Sequence, residues 1–269
     1  MNEDRIAYCG VDCAVCTDFT GGKCPGCRQT AWKPDDMCLP VACCQRRGVA
    51  FCGACPAFPC AEMQAFYRES DSHAQAFARM NVLRRKEQAA MFERIDGKRI
   101  CLRKAREADA LPMMQHVWSD ENVYRWMLFQ PTFTEEDALD RCRRSMQYQK
   151  DHFAWFVALQ STGEAIGYCG LKENEPGHFE ESGICIAANL QGQGLGKEIL
   201  ALLLEIAFDR LGATDFRYGY FDSNEKSKKL SEHFGFRYEY DYEMTRPWDG
   251  AKKTVHSCIL TRDEYLQRR

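Results

Sequence analysis

The chain has 269 residues, of which 28% are charged and 45% are hydrophobic, and its formal net charge at pH 7 is −3. This length suits one large domain or two of ordinary size, and the composition excludes a disordered or fibrous protein. A near-neutral chain has no broad basic field, so we expect neither nucleic acid nor a membrane surface as its partner.

Cysteine is distributed unevenly along the chain. Eleven of the 16 cysteines lie between Cys9 and Cys60. Residues 1–5 are acidic on balance and begin no apolar signal segment, and no apolar run is long enough to cross a membrane, so we expect a cytoplasmic protein. In that reducing compartment, a dense set of cysteines indicates metal binding rather than disulfides.

The early cysteines form clusters with spacings typical of metal ligands. Cysteines two residues apart can reach one metal ion from a tight turn, and two such pairs complete a tetrahedron of thiolates. Zinc and an iron–sulfur cluster both accept these ligands, and the spacing leaves the choice open. The candidate ligands are Cys9, Cys13, Cys16, Cys24, Cys27, Cys38, Cys43, Cys52, Cys55 and Cys60. We expect one site among Cys13, Cys16, Cys24 and Cys27, and a second drawn from Cys38, Cys43, Cys52, Cys55 and Cys60. Cys9 is an alternative to any of these ligands, and Cys44 is left over.

The hydrophobic pattern becomes helical between residues 61 and 95. A break at residues 70–72 divides it into two helices, and Asp71 or Ser72 is the expected N-cap of the second. Asp96–Gly97 is the expected end of that helix. We place the domain boundary there, which gives a cysteine-rich unit over residues 1–97 and a second domain over residues 98–269.

After this boundary, strand-like and helix-like segments alternate, as expected for an α/β or α+β layered domain. The predicted strands cover residues 99–104, 153–159, 165–171, 183–187, 216–221, 238–244 and 255–260. The turn at residues 161–163 predicts a hairpin between the second and third of these strands. Helices are expected near Asp109, after a cap at Thr134, over residues 197–211 before Gly212, and over residues 224–234 before Gly235.

A glycine-rich turn over residues 191–197 joins the strand at 183–187 to the helix that follows. Glycine lets a backbone approach a ligand closely, and the free N–H groups at a helix N-terminus bind phosphate, so the turn predicts a pyrophosphate-bearing ligand. A Rossmann site is excluded because three or four strands precede the turn. A Walker A loop is excluded because the hydroxyl residue after Lys197 and the four-residue spacer are missing.

The turn carries Gln191-x-x-Gly194-x-Gly196, which resembles the Q/R-x-x-G-x-G/A signature of the GNAT superfamily of N-acetyltransferases. Asn224-x-x-Ser227, followed by Phe234–Gly235–Phe236, is similar to the N-x-x-[AS]…GF segment of the same fold. The resemblance covers residues 98–266. It implies an α+β fold with a mixed, mostly antiparallel sheet flanked by helices, and an enzyme that uses acetyl-CoA.

Residues 181–184 are similar to the E-I-G-Y strand of the branch that acetylates ribosomal-protein N-termini, although Ser182 and Ile184 depart from it. This similarity implies a primary amine as acceptor, either a peptide N-terminus or a small amine. The expected acceptor pocket lies between the first two helices of the domain. Its candidate lining residues are Trp118, Tyr124, Trp126, Met127, Phe129 and Pro131.

The GNAT resemblance also implies roles for individual residues. The residues expected to contact acetyl-CoA are Gln191, Gln193, Gly194, Leu195, Gly196 and Lys197 in the turn, Ile184, Cys185 and Ile186 in the strand, and Asn224 with Ser227 at the CoA arm. Glu181 is the expected general base, with Glu180 as the second candidate. Ser231 stands where many members carry a tyrosine acid, so either Ser231 acts through water or CoA leaves unaided.

The start of the chain resembles a different family. Tyr8–Cys9–Gly10, Phe58–Pro59–Cys60 and the cysteines between them are similar to a cysteine-rich prokaryotic domain of unknown function, over residues 5–95. Two functions therefore stay open. The chain is an acetyltransferase whose zinc unit shapes stability or substrate choice, or it is a redox or metal sensor with an iron–sulfur unit and an acyl-CoA-binding domain. We expect a monomer or a homodimer.

Overall fold

The computed structural model describes residues 5–28 and 37–268. The chain divides into two compact units, Met1–Gln88 and Ala89–Arg269. The predicted boundary, by contrast, lay between residues 97 and 98. Residues 89–97 group with the second unit because Phe92 and Ile95 are buried in the hydrophobic core of that unit.

The described part of the first unit is built mainly from helices. They are α1 (Thr17–Thr20), α2 (Leu39–Arg47), α3 (Ala61–Tyr67) and α4 (Asp71–Ala90). Their shared core includes Met63, Tyr67 and Met80, all fully or almost fully buried. The Cys9–Gly10 backbone is fixed to this core, since Tyr67 donates a hydrogen bond to the Cys9 carbonyl (2.9 Å) and Arg79 donates one to the Gly10 carbonyl (3.1 Å).

Two predictions about α4 are wrong. Its N-cap is Ser70, whose hydroxyl accepts a hydrogen bond from the His73 backbone N–H at 3.2 Å, rather than Asp71 or Ser72. The helix ends at Ala90 rather than at Asp96–Gly97, because residues 94–96 form a β-strand whose central residue, Ile95, is buried in the core. The Asp96–Gly97 turn therefore belongs to a hairpin, closed by a bond from the Gly97 N–H to the Ile100 carbonyl (2.8 Å).

The second unit is organised around an eight-stranded sheet with the order β1-β2-β3-β4-β5-β6-β8-β7. The strands are β1 (Arg94–Asp96), β2 (Ile100–Arg103), β3 (Ala154–Leu159), β4 (Ala165–Glu175), β5 (His178–Ile186), β6 (Asp215–Phe221), β7 (Arg237–Thr245) and β8 (Lys252–Thr261). All neighbours are antiparallel except β5 and β6, which confirms the mixed, mostly antiparallel sheet. The predicted β3–β4 hairpin is also confirmed.

Two groups of helices cover opposite faces of this sheet. The first group is α5 (Ala110–Met113, continuing through the π-helical turn Met114–Trp118), α6 (Glu121–Tyr124) and α7 (Glu135–Gln149); the rest are α8 (Leu195–Leu204, continuing through Glu205–Arg210), α9 (Glu225–Phe234) and α10 (Arg262–Gln267). On β3, Trp155 and Val157 pack in the core with α8, and Phe156 packs in the core with α5 and α7. Thr134 caps α7 as predicted, by accepting a hydrogen bond from the Asp137 N–H.

The parallel pair β5–β6 is joined only over its first three residues. The register runs from His178 opposite Asp215 to Glu180 opposite Arg217. Beyond these positions β5 continues to Ile186 and β6 to Phe221, and in the described chain no strand pairs with this edge of β5. The two strands therefore diverge. Two backbone groups in this half of β5 are already used, since the Gly183 N–H donates to the Glu181 carboxylate and the Ile186 carbonyl accepts the Gln191 side-chain amide. The other backbone groups along that edge are left for another partner.

Candidate active site

A cavity of about 1100 Å³ opens where β5 and β6 diverge. It is enclosed by the second half of β5, the glycine turn, β6 and the start of α9. The predicted residues that line it are Glu180, Glu181, Ile184, Cys185, Ile186, Gln191, Gly194, Gly196, Lys197, Asn224 and Ser227. Residues distant in sequence are thus brought to one cleft, which we call the splay cavity.

The remaining predicted contacts, Gln193 and Leu195, do not line the splay cavity. The Gln193 side chain donates a hydrogen bond to the Asn189 carbonyl at 3.1 Å. Leu195, the first residue of α8, buries its side chain in the hydrophobic core. Their side chains are therefore used in holding the turn, and only their backbone groups remain for a ligand.

The glycine turn has the geometry of an anion site. Gly192 and Gly194 have φ angles of 77° and 83°, a left-handed conformation that favours glycine. Gly194 is the N-cap of α8, and no side chain caps the first N–H groups of this helix. A Cβ atom on Gly194 would meet only the Arg99 guanidinium, at 3.5 Å. The glycine turn and the first N–H groups of α8 thus form an open cradle, and phosphate oxygens bind at helix N-termini of this kind.

Arg99, a residue that the sequence does not single out, lies directly before β2 and holds the glycine turn. Its Nη1 atom donates a hydrogen bond to the Gln193 carbonyl at 2.8 Å, and its Nε atom lies 3.1 Å from a Glu198 carboxylate oxygen. Glu198 also accepts the N–H groups of Lys98 and Arg99. This arrangement fixes the turn and places a cation beside it.

Glu181 lies half-buried on β5 in the wall of the splay cavity. Its carboxylate accepts the Gly183 N–H at 2.5 Å. Burial raises the pKa of Glu181 to about 7, with a smaller contribution from the charge of Glu180, against the opposing hydrogen bonds from the Gly183 and Gly219 N–H groups. A carboxyl that titrates near neutral pH suits a general base. Glu180 also lines the cavity but is paired with Lys172 at 3.3 Å.

The predicted acid, Ser231, is not among the residues that line the splay cavity. Its side chain is 2% exposed, and its hydroxyl donates a hydrogen bond to the Lys228 carbonyl at 2.8 Å. A different hydroxyl faces the cavity, that of Tyr218 on β6, which lies 2.7 Å from the Ser227 hydroxyl. Burial raises the pKa of Tyr218 above its usual value, so it stays protonated at neutral pH.

Comparison with known families agrees with this geometry. A family model described as "Acetyltransferase (GNAT) domain" matches residues 99–237, more than half of the chain. The chain belongs to the GNAT acetyltransferase family. It is therefore an acyltransferase of a fold that uses acetyl-CoA. A second model, described as a protein of unknown function (DUF3795), matches residues 5–65. No curated protein matches the chain.

Solved structures share the GNAT fold of the second unit. A GCN5-related N-acetyltransferase from Brucella melitensis is 18% identical, with a TM-score of 0.57, over 64% of this chain and 80% of that one. A putative ribosomal-protein-serine acetyltransferase from Vibrio cholerae is 21% identical, with a TM-score of 0.54, over 62% and 97%. A ribosomal-protein-S5-alanine acetyltransferase from Vibrio fischeri is 17% identical, with a TM-score of 0.53, over 64% and 98%.

A second cavity in the GNAT unit, of about 800 Å³, lies beside α7. We call it the α7 cavity. It shares Tyr168 and Ser182 with the splay cavity, so the two meet at the bend of β5, the β-bulge where Ser182 and Gly183 stand opposite Gly170. The predicted aromatic cluster is divided between them, since Trp118 and Pro131 line the α7 cavity and Trp126 and Met127 line the splay cavity.

The remaining two predicted aromatic residues have contacts at the same cavities. Phe129 packs against Tyr168 with its ring centroid 6.0 Å away, and Tyr124 packs against Trp248 at 5.9 Å. Tyr168 and Trp248 both line the α7 cavity. An arginine that the sequence does not single out, Arg141, also lines this cavity.

In the first unit, neighbouring thiols affect the pKa values of Cys9 and Cys52 in two separate groups. Burial, and after it the charges of Cys27 and Cys38, raises the pKa of Cys9 to about 12. The division of the cysteines between two metal sites, with Cys38 in the second, stays a prediction. In the other group, a hydrogen bond with Cys44 and burial raise the pKa of Cys52.

The described cysteine side chains do not form a complete set of metal ligands. Within residues 5–28 and 37–268, no three cysteine, histidine, aspartate or glutamate side chains are arranged to hold one ion. The ten cysteines therefore remain predicted ligands. The same described residues contain no helix that is long and apolar enough to cross a membrane.

Proposed function

We propose that the chain transfers an acetyl group from acetyl-CoA to a primary amine, by direct attack of the amine within a ternary complex. The observation that carries this proposal is the position of Glu181, which faces the splay cavity beside the diverging edge of β5. The same cavity contains an open phosphate cradle at one end. A thioester bound between Glu181 and this cradle lies next to both a base and free backbone N–H donors.

Acetyl-CoA fits the groups that line the splay cavity. The uncapped amides of α8, with Lys197 nearby, provide positive potential for the pyrophosphate, and Arg99, whose charge Glu198 offsets, holds the turn in place. The open edge of β5 over residues 184–186 offers hydrogen bonds to the pantetheine arm, apart from the Ile186 carbonyl, which accepts the Gln191 side-chain amide at 3.1 Å. Asn224 caps α9 by accepting the Ser227 N–H at 3.2 Å, which fixes the wall that this arm would follow.

The chain's own groups suffice for the proton transfers. Glu181 accepts the proton of the substrate ammonium, and the free amine then forms the new N–C bond as the C–S bond breaks. Backbone N–H groups on the diverging part of β5 stabilise the charge that develops on the carbonyl oxygen. The Tyr218 hydroxyl donates a proton to the departing thiolate and regains one from the nitrogen of the new amide, and we propose it for this role in place of Ser231.

A peptide N-terminus is one acceptor that the likeness to ribosomal-protein acetyltransferases supports. A small amine is the other. We further propose that the cysteine-rich unit binds zinc, for structure or for substrate recognition. Support for zinc comes from the two-residue spacing of its cysteine pairs. No step of acetyl transfer passes through this unit.

The test is a measurement of free thiol released from acetyl-CoA by the full chain in the presence of small amines and of short peptides. Release that requires both the amine and Glu181 supports the proposal, with Glu181→Gln as the comparison variant. Calorimetric titration with acetyl-CoA is run in parallel. Binding of acetyl-CoA without amine-dependent release would overturn acetyl transfer and favour a role in acyl-CoA binding alone.

A further inference from the structure

Arg141 is enclosed by aromatic side chains inside the α7 cavity. Its guanidinium carbon lies 4.6 Å from the ring centroid of Trp118 and 4.3 Å from that of Phe129. Its Nη1 atom donates hydrogen bonds to the Gln130 carbonyl at 2.8 Å and to the Thr132 hydroxyl at 2.9 Å. The group is therefore held in one orientation, as a binding group must be.

This guanidinium has no carboxylate within ion-pair distance among the described residues. Asp137 lies one helical turn earlier and lines the same cavity, but its carboxylate accepts the Thr134 hydroxyl at 2.6 Å. Two more deeply buried arginines are paired: Arg103 with Asp109 at 2.6 Å, and Arg246 with Asp249. Arg141 is partly desolvated without such compensation, and burial lowers its pKa to about 10.

Trp248, which also lines the α7 cavity, has a polar group without a hydrogen-bond partner among the described residues. Its indole Nε1 atom is buried and has no hydrogen-bond acceptor within the described chain. Its ring packs edge-on against Tyr124 and lies under the Arg246 guanidinium. A buried donor without an acceptor costs free energy, so the packing around Trp248 at this cavity wall is not fully satisfied by the described chain itself.

The α7 cavity is connected to the proposed reaction centre. Tyr168 and Ser182 belong to the walls of both cavities, and Ser182 directly follows the proposed base Glu181. A Cβ atom placed on Gly183 would lie 3.0 Å from the Tyr168 hydroxyl, so this tyrosine stands beside the bend of β5. An acceptor whose amine reaches Glu181 therefore extends its other end toward Arg141.

We propose that the acceptor amine carries a carboxylate, which Arg141 binds in the α7 cavity, with an apolar or aromatic body between the two groups. This inference rests on the proposed acetyl transfer. A guanidinium presents paired N–H donors that match a carboxylate, and the charge strengthens both hydrogen bonds. The carboxylate belongs either to a small amino acid or to an acidic side chain near a peptide N-terminus, and both sources share this chemistry.

The first experiment compares kcat/KM for matched acceptors with the wild-type chain. The small-molecule pair is 4-(aminomethyl)benzoate and 4-methylbenzylamine, and the peptide pair is Ala-Glu-Phe-amide and Ala-Gln-Phe-amide. We expect the carboxylate-bearing member of at least one pair to be preferred by about tenfold to a hundredfold, the range that a charge-assisted hydrogen bond provides. The preferred pair identifies the source of the carboxylate. Equal values within both pairs would overturn the inference.

The variants assign this preference to one side chain. Arg141→Met is expected to reduce kcat/KM of the preferred acceptor to that of its uncharged counterpart, and Arg141→Lys to restore part of the difference. Arg143→Met is the matched control, because Arg143 lies on the same helix but is exposed and paired with Glu107. A preference that survives Arg141→Met would contradict the assignment, and loss of the preference in Arg143→Met would do so as well.

A binding measurement separates this inference from the proposed function. 4-Methylbenzoate carries the carboxylate but no amine, so its binding requires no acetyl transfer. We expect it to change the tryptophan fluorescence of the full chain, because Trp118 and Trp248 line the cavity, and to lose affinity about tenfold or more in Arg141→Met. Saturable binding that depends on Arg141 supports the inference even if no amine releases thiol. Absence of binding, or equal affinity in Arg141→Met, would overturn it while leaving amine-dependent thiol release intact.

Discussion

The hydroxyl of Tyr218 lies 2.7 Å from the hydroxyl of Ser227, which joins β6 to the first turn of α9 across the wall of the splay cavity. Ser227 is itself held by Asn224, whose side chain accepts the Ser227 N–H. The family resemblance assigned Asn224 and Ser227 to the CoA arm. Their link to Tyr218 places a protonated phenol where the thiol of CoA is expected to leave.

Replacing Tyr218 with phenylalanine removes this proton donor and keeps the ring. We expect kcat to fall about a hundredfold, within the range of general acid catalysis, and the dissociation constant of acetyl-CoA to change by less than about threefold. Steady-state kinetics and calorimetry check the two parts. Ser231→Ala is the comparison variant, and the proposed assignment is wrong if this change, rather than Tyr218→Phe, lowers kcat.

The pKa of Glu181 predicts how activity depends on pH. Burial raises this pKa to about 7, and only the deprotonated form accepts a proton, so kcat/KM should fall as the pH drops below about 7. In Glu181→Gln we expect kcat about a hundredfold lower and no inflection near pH 7. Titration of the amine affects both proteins equally, so the ratio of the two profiles isolates Glu181. An unchanged inflection in the variant would assign it to another group.

The same pKa predicts an effect on stability. A carboxyl whose pKa is raised on folding is favoured in its neutral form, so its contribution to stability is lost as the pH rises from about 4.5 to about 7. Glutamine resembles the neutral form. We therefore expect Glu181→Gln to raise the melting temperature of the full chain more at pH 8 than at pH 4.5. Equal effects at both pH values would show that the Glu181 pKa is not raised.

The fold was largely predictable from sequence because its signals are local. Gly212 and Gly235 end their helices in the left-handed conformation, and Thr134 caps α7, as expected. The first half of β5 escaped prediction, because at residues 178–182 Phe179 is the single large apolar side chain and the rest are polar. A single buried residue produces no alternation of apolar and polar residues, and that alternation is what predicts a strand from sequence.

The site was predictable only where a motif carries it. Gln191, Gly194 and Asn224 line the splay cavity as the family signature implied. Arg99 and Arg141 belong to no motif, because each acts through contacts with residues far along the chain or across the sheet. Whether an arginine lacks a carboxylate partner depends on the tertiary packing around it, and sequence spacing does not encode that.

Gly194→Glu tests the phosphate cradle. The substitution strains a left-handed backbone and places a carboxylate at the proposed pyrophosphate site, so we expect no measurable acetyl-CoA binding by calorimetry. Gly212→Glu is the matched control at the other end of the same helix, where φ is 72° and a Cβ atom would meet nothing within 4 Å. Both variants carry the same backbone strain, about 1 kcal/mol, and the same charge. Acetyl-CoA affinity retained in Gly194→Glu, or lost in Gly212→Glu, would contradict the assignment.

The proposal of zinc is tested by elemental analysis and an absorption spectrum of the full chain, purified without oxygen or chelator. We expect about one or two zinc ions per chain, and fewer in Cys27→Ser, because thiolates at this spacing bind zinc tetrahedrally. Cys142→Ser is the control, since Cys142 is buried in the second unit and its thiol donates to the Arg106 carbonyl. Iron with matching sulfide and visible absorption would replace zinc with a redox-labile cluster, and would make redox control of acetyl transfer the leading explanation of the first unit. Metal-free protein that melts at the same temperature with and without added zinc would contradict both.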